Sequence, residues 1–194
     1  MGGKPGTCKL CGKNANLHKR SHIIPEFMYR GMFNEHHKII FSKVDDPAAF
    51  HFMPTGIYES YIFCENCERK IFKSLEDYSS KVLYGHKRNF PNMPKMQRKI
   101  SADGIKYLEV SNYDYKKLKL FFLSILYRIH LSNHKLFKEF SIPTEAEELR
   151  KMIVLNSIDD NSYVRISVLA LFLKENELIR IIPSPLLLVD KNMR

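Results

Sequence analysis

Four cysteines constrain this chain more than any other feature of it. They fall in two Cys-x-x-Cys pairs, Cys8-Lys9-Leu10-Cys11 and Cys64-Glu65-Asn66-Cys67. Each pair can set two thiolates on one turn of backbone, and two such turns make a tetrahedral four-sulfur site of the structural zinc kind. Gly12 follows the first pair, and glycine tolerates the turn a knuckle makes after its second ligand. Two disulfides would instead need an oxidising compartment. The opening residues MGGKPGTCKL carry no apolar segment of the secretory kind. A thioredoxin-like redox site uses one such pair at a helix start, not two. The expectation is one structural Zn²⁺ on Cys8, Cys11, Cys64 and Cys67, with no open position left for chemistry.

The rest of the composition narrows the class. At 194 residues the chain suits one or two small domains and can bury a sizeable core. No apolar run approaches the roughly 18 residues of a membrane span; the best stretch, Leu118 to Tyr127, is too short. Gly2 is followed by Gly6 rather than Ser or Thr at the sixth position, so the myristoylation pattern fails. A soluble, cytoplasmic protein with no membrane partner is expected. The net charge is +10, and it is uneven. Residues 1–100 hold 17 Lys+Arg against 9 Asp+Glu, whereas 101–194 hold 14 against 12. Six of the eight histidines also lie in the first half. A basic half beside a near-neutral half points to a polyanionic partner for the first.

Periodicity gives a coarse α+β reading. A short strand through His22-Ile23-Ile24 stops at Pro25. Residues 31–57 read as a His-rich insertion with little periodicity. Tyr58 to Phe63 reads as a strand feeding the second cysteine pair. Cys67, Ile71, Leu75, Tyr78 and Val82 predict a helix over 65–83, with Gly85 as its stop. Residues 86–100 read as a basic linker, and Lys106 to Val110 as a strand. Leu118, Phe121, Phe122, Ile125, Leu126 and Ile129 predict a helix from Asp114 to Ser132. Thr144 is a candidate N-cap for another, rich in acids in its first turn and ending near Leu155. Tyr163 to Phe172, Leu178 to Ile182 and Leu186 to Val189 read as strands. The last lies close to the end of the sequence and needs a partner strand, which suggests a piece of something longer. The expected organisation is a zinc module with its linker over 1–100. A C-terminal α+β domain of helices packed on a small antiparallel sheet follows over 101–194.

Between the cysteine pairs lies Arg20-Ser21-His22-Ile23-Ile24-Pro25, and Glu68 directly follows the second pair. This order resembles the HNH, or ββα-metal, endonucleases that carry a treble-clef zinc, in a branch where Ser-His-Ile-Ile-Pro replaces the usual His/Asp-His motif. The likeness covers roughly residues 7–84. It implies a hairpin, a metal pocket and a helix carrying the last ligand. It also implies metal-dependent hydrolysis of nucleic acid, with DNA favoured over RNA. Residue by residue, His22 falls where that family keeps its general base, Ser21 where it has a His or Asp ligand, and Glu68 where it has its last ligand. A neutral imidazole suits a base, and a carboxylate suits Mg²⁺ or Mn²⁺. Ser21 offers only a neutral hydroxyl. That departure favours the alternative, an inactive zinc-ribbon module that binds nucleic acid or a protein partner.

Other side chains are candidates for supporting roles. His18, His36, His37 and His51 could each supply a further ligand. Lys19, Arg20, Arg69 and Lys70 flank the motifs and are the expected phosphate contacts. Tyr127, Arg128 and His130 sit on the second-half helix, where Arg128 reads as a surface side chain.

Overall fold

The computed structural model describes residues 3–29, 33–36, 38–42, 50–53, 56–84, 94–138, 140–158, 171–174 and 177–179. Among the described residues it is an α+β molecule with three α-helices and small antiparallel sheets. β1 (Lys4–Thr7) and β2 (Asn14–Leu17) form a hairpin in register from Lys4 opposite Leu17 to Thr7 opposite Asn14. The first cysteine pair is its tip. There the Gly12 amide donates to the Cys8 carbonyl at 2.9 Å, and Gly12 takes φ +73°, a conformation open to a residue without Cβ.

β3 (Ser21–His22) pairs with β6 (Tyr58–Glu59), so His22 lies opposite Tyr58. The strand stops at His22, so Ile23 and Ile24, expected to extend it to Pro25, form a bend instead, and a 3₁₀ turn follows over Glu26–Tyr29. The stretch expected to be an irregular insertion contains a hairpin, β4 (Ile39–Ser42) with β5 (Phe50–Met53). The expected strand from Tyr58 keeps only two residues. Tyr61 then turns the chain with φ +61°, and the Tyr61 amide donates to the His18 carbonyl at 2.9 Å.

The second cysteine pair opens a helix whose first part is a π turn, Cys67–Phe72, running into α1 (Lys73–Tyr84). Its signature is the Lys73 amide donating to the Glu68 carbonyl, five residues back. The expected stop at Gly85 lies outside the described residues. The latter part of the expected linker is a strand. β7 (Lys95–Ile100) pairs with β8 (Lys106–Ser111), with Ile100 opposite Lys106. Residue 100, expected to divide two domains, therefore lies within a hairpin.

α2 (Tyr115–Leu131) is capped by Asp114, whose carboxylate accepts from the Lys117 amide at 3.0 Å. It packs against α1 and against α3 (Ala146–Leu155), so its apolar surface is buried almost all round. Leu120, Phe121, Leu123, Ile125, Tyr127 and Ile129 belong to one core cluster with Leu10, Ile23, Phe63, Phe72 and Leu75 of the first half and Leu149 of α3. α3 starts one residue later than expected: Glu145, not Thr144, holds the N-cap position and makes no side-chain cap bond. Its end is Asn156 at φ +50°, a left-handed conformation that asparagine tolerates.

β9 (Leu171–Lys174) and β10 (Glu177–Ile179) pair antiparallel; they overlap the two expected strands at 171–172 and 178–179 and run past them at Leu173, Lys174 and Glu177. Residues 163–170 and 180–182 of those strands, and Leu186 to Val189, lie outside the described residues. Among the described residues no helix is long and apolar enough to cross a membrane.

Candidate metal centre and catalytic pocket

The hairpin tip and the start of the π turn bring the four cysteines together. Their sulfurs all lie within 4.8 Å of one another. Cys8 Sγ is 3.8 Å from Cys67 Sγ, and Cys11 Sγ is 3.9 Å from Cys64 Sγ. A tetrahedral zinc with Zn–S bonds of about 2.3 Å needs sulfurs about 3.8 Å apart, so the residues fit a metal ion such as zinc. The Cys64 amide donates to Cys8 Sγ at 3.3 Å. The Cys8 thiol is lowered to about 4, first by its hydrogen bond with Cys67 and then, against burial, by the amides of Cys11, Cys64 and Leu10. Cys67 is shifted up by the same bond and by burial, so it keeps the proton that Cys8 gives up. A thiolate is the form that binds metal.

The second half of the chain holds this knuckle in place through its backbone. Tyr127 Oη of α2 donates to the Lys9 carbonyl at 2.7 Å. Arg150 of α3 donates through Nη1 to the Leu10 carbonyl at 2.7 Å, while its Nε and Nη2 grip Glu147. Both carbonyls lie inside the first cysteine loop, which sequence spacing could not reveal.

Glu68 directly follows Cys67, and Arg128 acts both on it and on the His22 strand. That arginine was expected on the helix surface, but it is 1% exposed. Its Nη1 donates to the His22 carbonyl at 3.0 Å. Its Nη2 lies 2.8 Å from Glu76 Oε1. Its guanidinium lies 4.0 Å from the centre of the Phe72 ring. The reason is the hydrophobic surround of α2: a charge buried there needs compensation, and Glu76 with the ring face supplies it.

The π turn sets the register of these contacts. Two ordinary helical turns take about seven residues, and a wider turn adds one. Glu68, Phe72 and Glu76 therefore fall on one stripe, eight residues from end to end, and all three act on Arg128. Glu76 had no signal in the sequence, because an acid on a helix face does not reveal which side chain of another element it will meet.

The electrostatics follow the geometry. Burial holds the His22 imidazole below its ordinary value of 6.5, with Arg20 and Arg128 pressing the same way and Glu26 and Glu76 opposing. His22 is thus a neutral base at neutral pH. Burial raises the Glu68 carboxyl, and Glu76 adds to that; Arg128, Ser21 and His18 counteract it. Ser21 is fully buried and sits close enough to favour the Glu68 carboxylate, yet its Oγ has no hydrogen bond of ordinary length.

The remaining candidates divide. His18 is exposed, donates through Nδ1 to the Arg20 carbonyl oxygen at 2.9 Å, and acts on Glu68. His36 sits in an exposed turn 3.6 Å from Glu35. His51 is on β5, opposite Phe41; His37 lies outside the described residues. His130 accepts from the Ile142 amide at 3.2 Å, and so serves the α2–α3 connection. Arg20 lies over the Tyr58 ring at 4.4 Å, on the strand opposite His22. Lys19 and Lys70 are exposed, and Arg69 pairs with Glu65 at 2.7 Å. Among the described residues, the four cysteines are the one group of three or more His, Cys, Asp or Glu side chains that converges as a metal shell. Comparison with family models, with curated proteins and with solved structures finds no match.

Proposed function

We propose that this chain is a metal-dependent endonuclease, with zinc on the four cysteines as a structural ion and DNA ahead of RNA as substrate. The observation that carries this reading is that Arg128 acts on both His22, a neutral histidine, and Glu68, a raised glutamate, with the buried Ser21 hydroxyl beside Glu68. His22 takes the proton from water as the water oxygen bonds to phosphorus and the P–O bond to the leaving sugar oxygen breaks, that oxygen departing with its electron pair and taking a proton from solvent. Mg²⁺ or Mn²⁺ supplies charge neutralisation on the leaving side when bound.

Glu68 would be its protein ligand, with the Ser21 hydroxyl beside it. One or two protein oxygens suffice for Mg²⁺, which keeps several waters and takes the rest of its shell from substrate phosphates. A full protein cage is therefore not required here. Reduced cysteines fit a cytoplasmic setting. The treble-clef likeness supports the same reading through the order of knuckle, His22 strand and Glu68 helix.

One observation favours a non-catalytic zinc module that binds nucleic acid or protein: Ser21 is neutral and wholly buried where a charged ligand is expected. The divalent-ion dependence of plasmid nicking separates the two. A nuclease loses affinity for Mg²⁺ or Mn²⁺ in Glu68→Ala while its zinc content stays unchanged. A binding module shows no nicking at any ion concentration.

A further inference from the structure

An open groove of about 460 Å³ runs between α1 and the first turn of α2, lined by Arg69, Lys73, Ser74, Asp77, Tyr78, Lys81 and Lys117. Four of these seven side chains are cations and one is an acid. We propose that this groove is the track for the sugar-phosphate backbone of a bound nucleic acid. The proposal rests on the nucleic-acid part of the reading above, but not on cleavage.

The row follows from helix geometry. Arg69, Lys73, Asp77 and Lys81 recur every four residues, so they share one face. At 1.5 Å per residue, Arg69 to Lys81 spans roughly 18 Å. That matches about five nucleotides of one duplex strand at 3.4 Å each. Arg69 directly follows Glu68, so the row begins one residue from the proposed metal ligand. Lys117 reaches the same groove from α2 and stands 5.2 Å from the centre of the Tyr78 ring.

The acids now facing these cations are weak competitors. Arg69–Glu65 at 2.7 Å, Lys73–Asp77 at 2.9 Å and Lys117–Asp114 at 3.6 Å are all solvent-exposed pairs. Such pairs add little stability and are screened by salt. A phosphate offers more charge and releases counterions when it replaces the acid. An anionic membrane surface suits the groove less well. None of its lining residues is an exposed large hydrophobic side chain, and surface-bound proteins use such anchors.

The test is binding of a labelled duplex to the full-length, zinc-loaded protein over a range of salt. Lys73→Gln, Lys81→Gln and Lys117→Gln together should flatten the slope of log K against log salt by up to about 0.9 for each lost contact. Removing as many charges from the β7–β8 hairpin, with Lys95→Gln, Arg98→Gln and Lys106→Gln, should leave the slope as it is. Equal zinc content and melting temperature confirm that both variants fold. An unchanged slope in the groove variant overturns the proposal, as does an equal loss in the hairpin variant. So does a loss of binding to anionic vesicles alone, with DNA binding kept. Cleavage by a protein whose groove variant keeps its slope sinks the groove and spares the nuclease. Groove binding by a protein that never cleaves does the reverse.

Discussion

Arg128 donates to the main-chain carbonyl of His22 at 3.0 Å, across 106 positions of sequence. The same guanidinium holds Glu76 at 2.8 Å. One side chain of α2 thus fixes both the strand that bears the proposed base and the helix that bears the proposed ligand. It does so from the second half of the chain.

Removing that side chain should be costly. Arg128→Ala leaves a carbonyl without its donor and a carboxylate without its counter-charge. Breaking a buried pair costs about 3–5 kcal/mol. Glu76 keeps 27% exposure, which water can use, so the low end is expected. Denaturant unfolding of the zinc-loaded protein measures it. A loss below about 1 kcal/mol, the range of exposed pairs, would mean that Arg128 is not the link between the two halves.

The parts legible in the sequence were those written in local spacing. The cysteine pairs gave the cluster, and the apolar positions from Leu118 to Ile129 gave α2 with Asp114 before it. What escaped was long-range or atypical. Lys95-Met96-Gln97-Arg98-Lys99-Ile100 is too charged to read as a strand, yet it pairs along its whole length with β8. Glu76 stayed hidden because its partner, Arg128, lies 52 positions further along the chain on another helix. Arg128 looked like a surface side chain because a helix buried on nearly every side has no polar face to mark. The contacts of Tyr127 and Arg150 with the knuckle join residues more than a hundred apart.

Those two contacts predict a kinetic effect on the metal. Arg150→Ala frees the Leu10 carbonyl, within the first cysteine loop, from its charged donor. Zinc transfer to a chromogenic chelator should then be faster than in wild type, with the protein still folded. Complete removal of the ion should melt the fold, because structural zinc is worth about 10–16 kcal/mol against a typical domain stability of about 5–15 kcal/mol. Circular dichroism during chelation reads the melting. Equal transfer rates for the variant and wild type would show that α3 does not brace the knuckle.

The buried imidazole makes a signed prediction for acid. The folded value of His22 lies below the ordinary 6.5, so the unfolded chain takes up this proton first as pH falls. The stability linked to neutral His22 is complete above 6.5 and is lost as pH drops from there toward the folded value. NMR titration of the ring should show a midpoint below that of a free histidine. His22→Gln should lessen the acid sensitivity in this window. A midpoint above 6.5 would place the ring in an acidic, solvated setting instead.

The reaction itself is the most direct test of the account. Wild type and His22→Ala, matched for zinc content, are incubated with supercoiled plasmid and with structured RNA in Mg²⁺ or Mn²⁺. Loss of a positioned general base typically costs about 10²–10⁴-fold in rate. The account predicts metal-dependent nicking by wild type and a loss of that size in His22→Ala, with nucleic-acid binding intact. Equal rates for the two proteins, or no cleavage of any substrate by wild type, would contradict it.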